Sequence, residues 1–194
     1  QYASPLVKVT IVPRGRALGA AWYMPEERQI TTKEQMLDEL CSLLGGRAAE
    51  ELFLGHISSG AANDLERVTK QVYAMVVYYG MSKRLPNICY YDSTGQEFGF
   101  TKPYSDETAK LIDEEINAII SEQYARAKKI LIEYASGHNS LTNVLEEREV
   151  IFTEDVQNIF GPRKWASRSE ELLDTDTAAV EDNGVENDNT SNNN

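Results

Sequence analysis

The stretch from Ser105 to Tyr134 constrains this chain more than any other. Ile112, Ile116, Ile119, Tyr124, Ala127, Leu131 and Tyr134 recur at intervals close to the 3.6-residue helical period. The spacing predicts one helix from about residue 106 to 135. Ser105 is placed as its N-cap, with Asp106 and Glu107 in the first turn, where the helix dipole favours acids. Gly137 is placed as its end. Helical stability in proteins comes mostly from packing an apolar face. A helix this long therefore needs partners along its whole length, and the chain that supplies them is mainly helical.

The other helices follow from the same period. Thr31 with Glu34, or Thr32 with Gln35, forms a capping box. Met36, Leu40, Leu44, Ala48 and Leu52 then mark one face, interrupted by Gly45-Gly46 and closed by Gly55. A helix over about 62–79 buries Leu65, Val68, Val72, Met75, Val76 and Tyr79, and Gly80 ends it. A shorter helix covers about 140–148, and Thr153 caps a last turn or two that Gly161-Pro162 breaks. The second-half helices are expected to form an up-down bundle.

Two small hairpins complete the expected fold. Residues 6–12, "LVKVTIV", alternate as a half-buried strand, "PRGR" supplies a turn, and 17–24, "ALGAAWYM", form the return strand. Gly19, Ala20 and Ala21 suit either tight hairpin packing or an edge that another backbone approaches closely. Residues 88–100, "ICYYDSTGQEFGF", read as the second hairpin. Residues 1–165 thus form a domain. Residues 166–194 read as an acidic, Asn-rich tail, plainest from Asp174 onward, with too little apolar surface to offset its ordering entropy, and are expected to be disordered.

The formal charge of −12 is concentrated in that tail. Eight of the 31 acidic residues lie from Ser169 onward with no basic residue among them, which leaves the body 23 acidic against 19 basic residues, a net of −4. No basic stripe is available for a phosphate backbone, so nucleic-acid binding is excluded as an expectation. Cys41 and Cys89 are too few for a disulfide framework and read as buried thiols of a reducing compartment. No apolar run is long enough to span a bilayer.

Chemistry is sparse. His56 and His138 each follow a glycine and read as residues just past helix C-termini. No His-Glu-x-x-His, nucleophile elbow or phosphate loop occurs. Arg47, Glu50 and Glu51 read as a charged face with an Arg47–Glu51 pair. That leaves Asp64, in "SSGAANDLERV". Either it is a first-turn acid behind an Asn63–Glu66 capping box, or it is a metal ligand.

The blocks "PLVKVTIVPRGRALGAAWYMPEE", "TKEQMLDELCSLLGGRAAEELFLG", "ISSGAANDLERVTKQVYAMVVYYGMS" and "KPYSDETAKLIDEEINAIISEQYARAKKIL" together resemble, in order, the peptidase domain of the FtsH family, covering about residues 5–162. These are membrane-anchored, ATP-dependent zinc metalloproteases. The resemblance implies a helical metalloprotease domain lacking its first helix, the one that carries His-Glu-x-x-His and the general-base Glu, which is expected just upstream. It implies Asp64 as the third Zn²⁺ ligand, from a "TGA-x-ND" segment that here reads "SGAAND", with Ser59 in place of Thr. Glu50 ranks second, as support or a polar neighbour. The family further implies substrate pairing along the Gly19, Ala20, Ala21 edge and ATP hydrolysis by a separate domain. It also implies a hexameric ring fed unfolded polypeptide, membrane attachment through N-terminal segments, and a bacterial inner-membrane location with this domain on the cytoplasmic side. The fragment alone is expected to be inactive. The competing expectation is a non-catalytic helical module for oligomerisation.

Overall fold

The computed structural model describes residues 2–13, 15, 17–24, 30–90 and 103–165. The described residues divide into two compact units, one falling within 3–28 and 141–194, the other within 29–140 with Tyr2. Among the described residues the fold is mainly helical with one small antiparallel sheet.

In the larger unit, the second of the two candidate capping boxes forms. The Thr32 hydroxyl accepts from Gln35 N–H at 3.3 Å, and the Gln35 side chain accepts from Thr32 N–H at 2.8 Å. Helices α1 (Lys33–Leu43) and α2 (Gly45–Ala49) follow, then a single π-helical turn, Glu50–Leu54. Met36, Leu40, Leu44 and Ala48 are buried along one face, as their spacing requires. Gly55 stops the run at φ +70°, a conformation that costs a glycine little. Helix α3 (Ala62–Val77) buries Val68, Val72, Met75, Val76 and Val77. Tyr79 is 57% exposed, because the helix stops two residues earlier than its pattern suggests.

Helix α4 (Asp106–Glu133) starts at the expected Ser105 cap, whose hydroxyl accepts from Thr108 N–H at 3.2 Å. Its partners are α1, α2 and α3. The bundle is therefore built with first-half helices, which corrects the expectation of a bundle within the second half. Ile112 and Ala127 enter a core with Leu40, Leu44, Val72 and Met75. Helix α5 (Ala135–Arg148) begins immediately after a turn at Tyr134. Gly137 and His138 therefore lie inside a helix rather than beyond one, and His138 stacks flat on Phe53 at 4.4 Å between ring centres. Cys41 is buried as expected, but Cys89 is exposed and outside any strand. Most of the second expected hairpin and the whole acidic tail lie outside the described residues.

Glu115 breaks the apolar face of α4 for a reason that its neighbours explain. It is buried, and its carboxylate accepts from the Ser82 hydroxyl at 2.6 Å and Lys83 N–H at 3.2 Å. Ser82 in turn accepts from Leu85 N–H at 3.1 Å. Burial pushes the Glu115 carboxyl up, but the hydrogen bonds from Ser82 and from the Arg84 and Lys83 backbone outweigh it, so it stays below the usual glutamate value of 4.5. A carboxyl with a depressed folded pKa stabilises fully above its unfolded pKa and loses that contribution as pH falls through the folded one. Glu115→Ala is expected to cost about 1–3 kcal/mol at neutral pH, the penalty for stranding the donors that its carboxylate satisfies. The gap from wild type should shrink below about pH 4, measured by urea denaturation across pH.

The smaller unit holds a three-stranded sheet of order β2-β1-β3, from β1 (Leu6–Thr10), β2 (Ala20–Tyr23) and β3 (Val150–Phe152). The β1–β2 hairpin matches expectation, with Val9 opposite Ala21 and Thr10 opposite Ala20. Strand β3 has no counterpart in the sequence reading. Helix α6 (Thr153–Phe160) follows it. Thr153 does not cap this helix: its hydroxyl donates to Leu6 C=O at 2.7 Å, and Asp155 accepts the Phe152 N–H at 2.9 Å.

Gly19 lies one residue before β2, and a Cβ there would meet the Thr10 carbonyl oxygen at 2.7 Å. Tight hairpin packing thus accounts for this small residue. Gly19→Val should destabilise the hairpin by about 1–3 kcal/mol, because backbone has to move to make room; amide exchange in β1 and β2 measures it.

Candidate metal centre

The candidate centre is built on the N-terminus of α3. A single 3₁₀ turn, Ser59–Ala61, leads straight into the helix. The Asn63–Glu66 capping box does not form, because both residues are already helical and the cap position is Ala61, which has no side-chain bond. Ser58 does the capping one element earlier, its hydroxyl accepting from Gly60 N–H at 3.1 Å.

Asp64 is the third residue of α3, in the first turn, half-buried. Among the described residues its carboxylate has no hydrogen-bond or ion-pair partner. A first-turn carboxylate interacts favourably with the helix dipole whether or not it holds a cation. An aspartate oxygen is an ordinary zinc ligand.

Glu50 holds the approach to that helix. Its carboxylate accepts from the Ser58 hydroxyl, and from Ser58 N–H at 3.2 Å. Those hydrogen bonds, the hydroxyl first and the backbone second, hold its carboxyl below the usual range. Arg47 completes the clamp, with Nη2 donating to Ser58 C=O at 2.8 Å and Nε 3.7 Å from the Glu50 carboxylate. The expected Arg47–Glu51 pair is therefore replaced by Arg47–Glu50. Glu51 turns to α4, where it accepts from the Tyr124 hydroxyl and from Lys128 Nζ at 2.9 Å.

The histidines take no part. His56 is exposed just past Gly55, with Nδ1 2.8 Å from Leu54 C=O. Among the described residues no three His, Cys, Asp or Glu side chains converge to hold a metal. The Asp64 carboxylate is chemically suited to one position of a zinc site, and a single carboxylate does not make up such a site alone. Ser58 is the contributor that sequence reasoning missed. A serine two residues before a glycine at a turn was the available signal. Tyr124 carried no signal, because its spacing marked it only as part of the α4 stripe.

Residues 1–159 match peptidase family M41, and the chain belongs to that family. It is 71% identical over 174 residues to the ATP-dependent zinc metalloprotease FtsH of Parabacteroides distasonis, an alignment covering 90% of this chain and 25% of that protein. It is 53% identical over 160 residues to the protein of the same name from Karelsulcia muelleri, covering 82% of this chain and 26% of that one. It is 38% identical over 187 residues to the mouse mitochondrial inner membrane m-AAA protease component AFG3L2, covering 95% and 23%. The chain thus spans about a quarter of the length of these relatives. No described helix is long and apolar enough to cross a membrane.

Proposed function

We propose that this chain is the C-terminal part of a membrane-anchored, ATP-dependent zinc endopeptidase, with Asp64 as one of three protein ligands to Zn²⁺. The observation that carries the reading is the half-buried Asp64 carboxylate on the first turn of α3, without a partner among the described residues. The zinc metalloprotease names of the relatives support it. The other two ligands are histidines of a helix upstream of these 194 residues, and so is the general-base Glu. Bound there, zinc would supply an acidified water for attack on a peptide carbonyl.

The contribution of this chain is positional. Asp64 holds its side of the cation, and Glu50 with Arg47 and Ser58 fixes the turn that aims it. One edge of β2 has no strand partner among the described residues. Ala20 and Ala21 on that edge, with Gly19 beside it, accept an extended polypeptide through main-chain hydrogen bonds, which tolerate many sequences. That suits unfolded chains delivered by an ATP-driven domain outside these residues, in a hexameric ring at a bacterial inner membrane with this domain on the cytoplasmic side.

The test is the full-length protein. It should carry one zinc per chain and degrade an unfolded polypeptide only with ATP. Chelation should stop degradation and zinc should restore it. A zinc-free full-length protein that still assembles would overturn the reading in favour of a structural module.

A further inference from the structure

Two consecutive carboxylates, Glu50 and Glu51, open the π-helical turn and are anchored in different places. Such turns are rare, occur mostly singly, and are frequent at functional sites. Glu50 binds the Ser58 turn. Glu51 binds α4, where Tyr124 and Lys128 lie four residues apart on one helical face. Lys128 Nζ also lies 5.2 Å from the centre of the Tyr124 ring, so two donors converge on one carboxylate from adjacent turns of the longest helix.

We propose that Glu51, held by Tyr124 and Lys128, is a positioning residue for the metal ligand Asp64. The path is continuous. Helix α4, packed on α1, α2 and α3, holds Glu51. Glu51 fixes the π turn from which its neighbour Glu50 reaches Ser58. Ser58 holds Gly60 N–H at the start of the 3₁₀ turn that runs into α3 and Asp64. Gly60 keeps that path short, because a Cβ there would lie 3.2 Å from the Ser58 hydroxyl and 3.6 Å from the Glu50 carboxylate. Burial and the Glu51 hydrogen bond push the Tyr124 phenol up to about 12, so it remains a donor at every working pH. Glu51 and Lys128 are 44% and 31% exposed, too open for the pair to be a large stabiliser of the fold. Its consequence is therefore expected in geometry at the metal rather than in stability.

The inference rests on Asp64 being a zinc ligand, and the test separates the two. In the full-length protein, Tyr124→Phe removes one hydroxyl and Glu51→Gln removes one charge. Each should raise the zinc dissociation constant, read by chelator competition, about tenfold, the low end of what losing an outer-shell group costs. Each should lower kcat with KM unchanged and leave Tm within a few degrees. The double variant should cost no more than either single one, because both break the same brace. Wild-type zinc affinity and kcat in both variants overturn the proposal, as does a loss of zinc that merely tracks loss of folded protein. In Asp64→Ala, retained zinc overturns the ligand reading and this proposal with it. Zinc lost there but held normally by Tyr124→Phe and Glu51→Gln overturns this proposal alone.

Discussion

Asp64→Ala in the full-length protein is expected to abolish zinc retention and peptide hydrolysis while leaving the fold intact. Outer-shell changes at metal sites already cost 10–100-fold in affinity or activity, so removal of a proposed direct ligand should cost at least about 100-fold. The structural cost is small for a reason visible in the fold. Asp64 is half-buried and makes no hydrogen bond or ion pair among the described residues. Its removal forfeits only a first-turn carboxylate's interaction with the helix dipole, about 0.3–1 kcal/mol. Metal stoichiometry measured beside circular dichroism separates the two effects. A variant that keeps one zinc per chain would remove Asp64 from the site.

Leu40→Ala is expected to have the opposite signature, a large loss of stability with no direct effect on metal chemistry. Leu40 is 0% exposed on α1 and belongs to the core shared with Val72, Met75 and Ile112. That cluster draws on α1, α3 and α4, so truncation is expected to leave a cavity. Truncation of such a leucine costs about 2–5 kcal/mol. Small domains are stable by only about 5–15 kcal/mol, so this is a large share of the total. Urea denaturation should show a lower midpoint at unchanged slope. A midpoint within experimental error of wild type would mean that the packing around α1 is not as described.

The two variants divide the larger unit by function. The four-residue stripe of α1 and α2 supplies cohesion, and the start of α3 carries the carboxylate proposed to face the metal. The Glu50–Ser58 bond joins them, since Glu50 follows directly from α2 and Ser58 directly precedes the 3₁₀ turn.

Local rules in the residue order were enough for much of this. The stripe of Met36, Leu40, Leu44 and Ala48 is buried because α-helical geometry puts four-residue spacing on one face. The Ser105 cap, the Gly55 stop and the Thr32–Gln35 box are short-range bonds between residues at most three apart in the chain, or a single backbone angle. Asp64 was legible as a candidate through its motif, although spacing alone also allowed an ordinary first-turn acid.

Tertiary structure decided the rest, because it depends on contacts across long stretches of chain. Strand β3 is only three residues long and exists because β1, more than 130 residues earlier, pairs with it through Val9 and Ile151. No local pattern marks so short a strand. Helix α5 runs through Gly137, since one glycine's helix penalty of roughly 1 kcal/mol is no larger than what a contact such as the Phe53–His138 stack can offset. Glu51 abandons the neighbour its spacing offered, Arg47, for Tyr124 and Lys128 on α4, where two donors meet one carboxylate. Periodicity assigns a side chain to a face of its own helix; which other element lies against that face is settled only when the helices pack.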